Sequence, residues 1–159
     1  MNILTINNSN DGKFLRKKTA DFDFSQIAKN ELGKLLREMR RVMKGARGIG
    51  LSANQIGINS KFFVAEVNNK FYAILNPTIE KESREKAELE EGCLSVPGIY
   101  GMVTRSQKIT ISGFDINNKK IKIKAWGLLA QVFQHEMDHL NGKLFIDRTK
   151  NVYQIAPEP

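Results

Sequence analysis

GLLAQVFQHEMDHLNG, residues 127–142, places Leu128, Leu129, Val132, Phe133, Met137 and Leu140 at helical intervals. Apolar residues recurring three and four apart make one buried face, so the stretch predicts a helix laid against a sheet, with Gly142 as its stop. His135 and His139 stand one turn apart on that helix, which brings two imidazoles to the same side. The spelling H-E-x-x-H sets Glu136 within reach of a water on a shared ion, where a carboxylate can take and return a proton. These are the only two histidines in the chain. Two helical histidines need no ion, however, and a short motif recurs by chance, so the rest of the chain must supply a third ligand.

Immediately downstream, Asn141 and Gly142 are non-ligands, and Asp147 lies on a segment with no clear pattern. Cys93, the single cysteine, excludes an intrachain disulfide and reads either as a small buried hydrophobe or as a thiolate ligand. As a ligand it completes a Cys-His-His set that leaves a fourth position for water or substrate. In EGCLSVPG, residues 91–98, Gly92 permits close backbone approach, and the Leu94 N–H can point at an oxygen gaining negative charge. In GIGLSANQ, residues 48–55, the Gln55 amide either braces a loop or supplies a second such donor. Asp138 either accepts the distal N–H of a ligating imidazole or bonds an arginine such as Arg105 or Arg148.

Outward from the helix, KFFVAEV at 61–67 and FYAIL at 71–75 read as strands joined through Asn68-Asn69, and Pro77 ends the second. IEKESREKAELEEG reads as exposed strand and turn. QKITISGF at 107–114 and KKIKIKAW at 119–126 are strands around a DINN turn, the second alternating Ile121, Ile123 and Ala125 against lysines. Earlier, DFDFSQIAKNELGKLLREMRRVMKGARG predicts a helix capped by Asp23, with Gln26 as box partner and a Phe22–Ile27 staple, stopping by Gly45 or Gly48. The tail from Arg148 carries no helical pattern and reads as irregular. The expected fold is α+β: a single domain over residues 1–147 of short, mainly antiparallel strands packed around a central metal-binding helix, with an N-terminal helix, and an irregular tail over 148–159.

The chain has 159 residues, 41% apolar and 26% charged, enough for one soluble domain's core. No apolar run approaches the roughly 18 residues of a membrane span, and MNILTINNSNDG is too polar for a secretory signal, so a cytoplasmic protein with no membrane contact is expected. A formal charge of +8 favours acidic partners. The basic residues at 16–18, 34–47 and 120–124 form either a solvated face or an electrostatic docking face. Aromatics do not interleave with them as in a base-stacking surface, so no specific nucleic-acid site is expected.

GIGLSANQ from Gly48 to Gln55, EGCLS from Glu91 to Ser95 and QHEMDHLNG from Gln134 to Gly142 resemble, in order, the three motifs of the peptide deformylase family. The resemblance runs from the first predicted helix to about residue 147. It implies metal ligation by Cys93, His135 and His139, acid/base catalysis by Glu136, and stabilisation of the tetrahedral intermediate by Gln55 and the Leu94 N–H. It implies Fe2+ as the working metal, with Zn2+, Ni2+ or Co2+ as substitutes, and removal of formyl from N-formylmethionyl nascent peptides with release of formate. Gly50 resembles the backbone position beside the bound peptide, and Ile49, Leu89, Leu94, Leu128, Gln131, Val132 and His135 occupy the neighbourhood of the methionine pocket. Gln131 departs from the aliphatic residue usual there, and Ser52 stands where alanine is common. Relatives often end in a basic helix that meets the ribosome, whereas this chain ends NVYQIAPEP, so ribosome contact would be transient and carried by the remaining basic surface. A monomer is expected.

Two other readings stay open on the residues alone. A metalloprotease or other N-acyl amidase would retain activity when formyl is replaced. A non-catalytic metal- or RNA-binding module would be indifferent to loss of Glu136.

Overall fold

The computed structural model describes residues 1–155; the last four residues of the expected tail lie outside them. In chain order the elements are α1 (Ser9–Leu15), α2 (Lys29–Gly45), β1 (Gly50–Ser52), β2 (Phe62–Val67), β3 (Lys70–Glu82), β4 (Lys86–Cys93), β5 (Val96–Ser106), β6 (Lys108–Phe114), β7 (Lys120–Trp126), α3 (Gly127–Leu140) and β8 (Val152–Gln154). One antiparallel sheet runs β1-β2-β3-β6-β7 and a smaller one runs β4-β5-β8. This is the expected α+β architecture, with α3 as its central helix.

At β2 the larger sheet is covered on both faces, which is why that strand opens with an apolar run, Phe62–Ala65, rather than an alternation. Phe62 and Val64 pack with Leu32, Leu36, Met39 and Met43 of α2. Phe63, Ala65 and Val67 point the other way, onto Ala130, Val132, Phe133 and Leu140 of α3. Phe133 is the hub of the second layer, with the Phe63 ring 5.6 Å and the Tyr72 ring 5.3 Å away between centroids. It is fully buried, so truncation to alanine would cost about 3–5 kcal/mol.

Several elements differ from the sequence expectation. Asp23 caps only a short 3-10 turn, Phe24–Gln26, by accepting from the Ser25 N–H. Ile27 is then extended, and α2 begins at Lys29 with Ala28 as an N-cap lacking any side-chain bond. Phe22 and Ile27 both pack against the cluster beneath α2. The helix α1 has no counterpart in the sequence expectation: only Leu15 is buried in it, which leaves no apolar period to read, and Asn8 starts it by accepting from the N–H groups of Asn10 and Asp11.

Pro77 does not end β3. Asn76 takes φ 49° and the register with β6 slips between Leu75 and Thr78, so the proline sits in a bulge where no ladder N–H is needed. The Asn76 side chain fixes this bulge by accepting from the Phe22 N–H at 2.7 Å and donating to the Phe22 carbonyl at 2.9 Å. The tail is not wholly irregular either. Val152–Gln154 adds as β8 to the edge of β5, pairing Tyr153 with Tyr100.

The end of α3 is set by steric exclusion. Gly142 has φ +72°, and a Cβ there would lie 2.4 Å from the Arg16 carbonyl oxygen. Only glycine lets the chain leave the helix against the segment that follows α1.

Candidate metal centre and its cavity

The helix α3 presents His135 and His139 on one side, and the end of β4 brings Cys93 to them. The His139 Nε2 atom lies 3.2 Å from the Cys93 Sγ and 3.2 Å from the His135 Nε2. All three donor atoms fall within 4.8 Å of one another. The His135 Nδ1 lies 2.7 Å from Glu91 Oε1, which assigns the ring proton to Nδ1 and turns the Nε2 lone pair toward Cys93 and His139. Two imidazole lone pairs and a sulfur facing one point repel unless a cation lies among them. The donor set therefore fits a metal ion.

Glu91 is itself held by a charged network. Arg105, 3% exposed, donates through Nε to Glu91 Oε2 at 2.7 Å and through Nη2 to Oε1 at 2.8 Å, while its Nη1 reaches Asp138 at 2.6 Å. Arg148 closes the far side of Asp138, its Nη2 bonding Oδ1 at 2.6 Å. Asp138 thus bonds both arginines proposed for it and neither histidine, and Glu91 holds the orienting position instead. Burial opposes the Glu91 charge, yet hydrogen bonds from Arg105 and His135 bring its pKa to about 2. Burial, with the nearby His135, pushes the His139 pKa well below its ordinary value, keeping that ring neutral as ligation requires.

Glu136 is 2% exposed and its Oε2 has no hydrogen-bond partner. Burial raises its pKa to about 7 against the pull of His135 and Arg105. The carboxyl fits because β1 passes close by without a side chain: a Cβ on Gly50 would lie 2.2 Å from Glu136 Oε1. Gln55 lies within a short 3-10 turn, Ala53–Ile56, after β1. Its Oε1 accepts from the Ser52 N–H at 2.9 Å, and its Nε2 donates to Ser95 Oγ at 3.1 Å and sits 3.8 Å from Cys93 Sγ. It therefore braces the loop and borders the centre at once. The Ser52 hydroxyl, fully buried, reaches Asn54 and Gln55 side chains, and Asn54 donates to the His139 carbonyl at 2.6 Å.

Beside these groups opens a cavity of about 480 Å³. Ile49, Gly50, Leu128, Gln131 and Val132 line it, as do Gln55, Cys93, Leu94, His135 and Glu136. Leu89 does not. It lies opposite Val103, two residues along β4 from Glu91, which does reach the cavity. His139 lies beneath the cavity, 1% exposed. Glu91, Asn54 and Ser95 are supporting residues to which the sequence assigned no role, and Arg105 was expected only as a partner of Asp138. Glu91 and Ser95 flank Cys93 inside the quoted EGCLS, so their place beside the ligand was a readable signal; Arg105 carried none beyond being one of two named partners for Asp138.

A sequence model of the polypeptide deformylase family matches residues 1–154. The chain belongs to that family. A peptide deformylase of Pelotomaculum thermopropionicum is 42% identical over 125 residues, covering 79% of this chain and 80% of that one. The deformylase of Synechococcus elongatus, solved in complex with actinonin, superposes with a TM-score of 0.86 at 36% identity, over 95% of this chain and 79% of that chain. The deformylase of Thermotoga maritima gives 0.84 at 35% identity, over 93% and 96%. As a deformylase with this Cys/His/His cluster, the chain is a metal-dependent hydrolase of N-formylmethionyl peptides. The matched span extends past Asp147 through β8, so the deformylase fold here includes part of the segment expected to be an irregular tail.

Proposed function

We propose that Cys93, His135 and His139 hold the ion, that Glu136 carries the proton, and that Gln55 and the Leu94 N–H stabilise the oxygen that becomes negative. The observation that carries this reading is the meeting of three donor atoms within 4.8 Å beside a buried carboxyl whose Oε2 has no hydrogen-bond partner. Bound there, a divalent ion would supply the Lewis acidity that polarises the formyl carbonyl and makes a water acidic enough to attack at neutral pH.

Glu136 takes a proton from water as its oxygen bonds the formyl carbon, and returns it to nitrogen as the C–N bond breaks, leaving formate and a free amine. Gln55 Nε2, 3.8 Å from Cys93 Sγ, and the amide of Leu94, the next residue after Cys93, are the two donors this reading gives to the carbonyl oxygen. Formyl carries hydrogen where other acyl groups carry carbon, and the approach of Gly50 to Glu136 leaves little room for more. Ile49, Gly50, Leu128, Gln131 and Val132 form the wall for the first side chain of the peptide.

We assign Fe2+ to the working centre, with Zn2+, Ni2+ or Co2+ able to replace it; one sulfur and two imidazole nitrogens suit all four. A cytoplasmic monomer that meets the ribosome transiently through charge completes the reading. Its supports are the formal charge of +8 and the lack, among the described residues, of any helix long and apolar enough to cross a membrane.

The decisive assay purifies the protein without oxygen, titrates Fe2+, and compares formate release from formyl-Met-Ala with acetate release from acetyl-Met-Ala. Strong formyl preference is expected. Glu136→Gln should lose about 10²–10⁴-fold in turnover while still binding metal. Equal hydrolysis of the acetyl substrate would assign the chain to a broader N-acyl amidase, and no formate from folded, metal-loaded protein would end the proposal.

A further inference from the structure

The cations of this chain are not equally engaged. Along α2 they are largely neutralised: Lys34 pairs with Glu31, Arg41 with Glu38, and Arg40 and Lys44 with Glu66 of β2. On the outer face of the large sheet, by contrast, Lys81, Lys108, Lys120 and Lys124 form no ion pair among the described residues. There only Lys122 is neutralised, by Glu80 at 3.0 Å.

The register shows how these residues share a face. Lys81 of β3 stands beside Thr110 of β6, which stands beside Lys124 of β7; in the next row Lys108 stands beside Trp126. Lys120, Lys122, Lys124 and Trp126 alternate along β7, so all four side chains project to one side about 6.8 Å apart. The alternation marked in the sequence ends at Lys124, with no aromatic among the lysines. Continuing the period by one step places the indole in line with them.

Trp126 is 69% exposed, the most exposed large apolar side chain among the described residues. It borders a groove of about 640 Å³ whose other walls include Lys81, Lys108, Thr110 and Lys124, with Glu82 at one end. Lysines along an edge strand guard against unwanted strand pairing, and that explains part of β7. It does not explain Lys108 and Lys81, which sit on inner strands, or an indole left in water at the cost of exposed apolar surface.

The geometry points to this β6–β7 face as a docking surface for single-stranded RNA, with Trp126 stacking a base and Lys108, Lys124 and Lys81 meeting successive phosphates. A stacking ring beside a cationic row is how single strands are bound without regard to sequence, so the surface calls for no base-specific contacts. The choice of RNA over DNA rests on the reading of the substrate as a newly made formyl peptide, which arises where RNA is abundant. Leu128, two residues past Trp126, lines the catalytic cavity, so bound RNA would lie near the site's entrance.

Trp126 is the sole tryptophan, so its emission reports stacking directly. The metal-loaded protein is titrated with a short oligouridylate at low salt while emission is followed, with formate release measured on the same samples. Saturable quenching is expected, with affinity falling as salt rises at a log–log slope of about −2 for three phosphates neutralised. With labelled oligouridylate followed by anisotropy, Trp126→Ala and the Lys108→Glu/Lys124→Glu pair should each weaken binding about tenfold or more, and Trp126→Phe should restore part of it. Formate release should be unchanged in all of them. Absence of binding, binding that survives both variants, or response only to vesicles containing phosphatidylglycerol would overturn the proposal. Loss of formate release with RNA binding intact would count against the catalytic assignment alone.

Discussion

Glu91 Oε1 sits 2.7 Å from His135 Nδ1 while Arg105 grips both oxygens of the same carboxylate. The glutamate therefore does two separable jobs: it orients a ligating ring, and it compensates a guanidinium with almost no access to water. Glu91→Gln keeps an acceptor for His135 but weakens its hold, and metal affinity should fall about 10- to 100-fold. Glu91→Ala leaves Arg105 with Asp138 alone, and removing one partner of a buried ion pair costs about 3–5 kcal/mol. Metal titration and chemical denaturation of the two variants separate these effects. Wild-type metal affinity in Glu91→Gln would show that His135 is held by packing alone.

Gly50 faces Glu136 across a gap that no side chain can enter, since a Cβ would lie 2.2 Å from the carboxyl oxygen and 3.1 Å from Val132 Cγ1. Gly50→Ala should therefore fold, bind metal through ligands it does not touch, and displace the carboxyl. A shift of about 1 Å at a reacting group can cost about 100-fold in turnover. Steady-state kinetics should show the loss in kcat, with metal content near that of the wild type. A variant as fast as the wild type would mean that Glu136 works from another rotamer.

The parts of this molecule that were legible in the sequence are those with a short period or a fixed spacing. β7 shows its alternation, α3 its apolar stripe, and HEMDH its one-turn histidine pair. What stayed hidden depends on partners far apart in the chain. Arg105 reads as a partner for Asp138, but its grip on Glu91 appears only once β5 places it between the two carboxylates. Pro77 looks like a terminator until Asn76 turns the strand around it. β8 has no pattern of its own and becomes a strand only because the edge of β5 is free to receive it.

Gln131 donates through Nε2 to the Glu90 carbonyl at 3.1 Å and is 7% exposed, so its amide is part of the cavity wall. A methionine side chain entering there covers the amide oxygen without offering it a proton. Leaving a polar group unsatisfied on binding costs about 1–3 kcal/mol, partly offset by burial of the methionine's own apolar surface. Gln131→Leu should thus lower KM for formyl-Met-Ala severalfold while kcat stays the same. The same change should do little for a formyl peptide that begins with glutamine, whose amide can bond Gln131. An unchanged KM for both substrates would place the first side chain elsewhere in the cavity.

Glu66 on β2 accepts from Arg40 at 2.5 Å and from Lys44 at 3.0 Å, tying α2 to the sheet. The Arg40 hydrogen bond, then that of Lys44, lowers its pKa from 4.5 to about 2. A carboxyl with a folded pKa below its unfolded one stabilises fully above the unfolded value and loses that contribution as pH falls through the folded value. The window of loss therefore runs from about pH 4.5 down to about pH 2. Glu66→Gln should melt below the wild type at neutral pH, and the gap should narrow as the pH is lowered through this window. Because the pair is exposed to solvent on the arginine and lysine side, added salt should narrow the gap at neutral pH as well. Thermal midpoints of both proteins across this pH range, at low and high salt, check the claim; a gap independent of pH would mean that Glu66 acts through its packing and not through its charge.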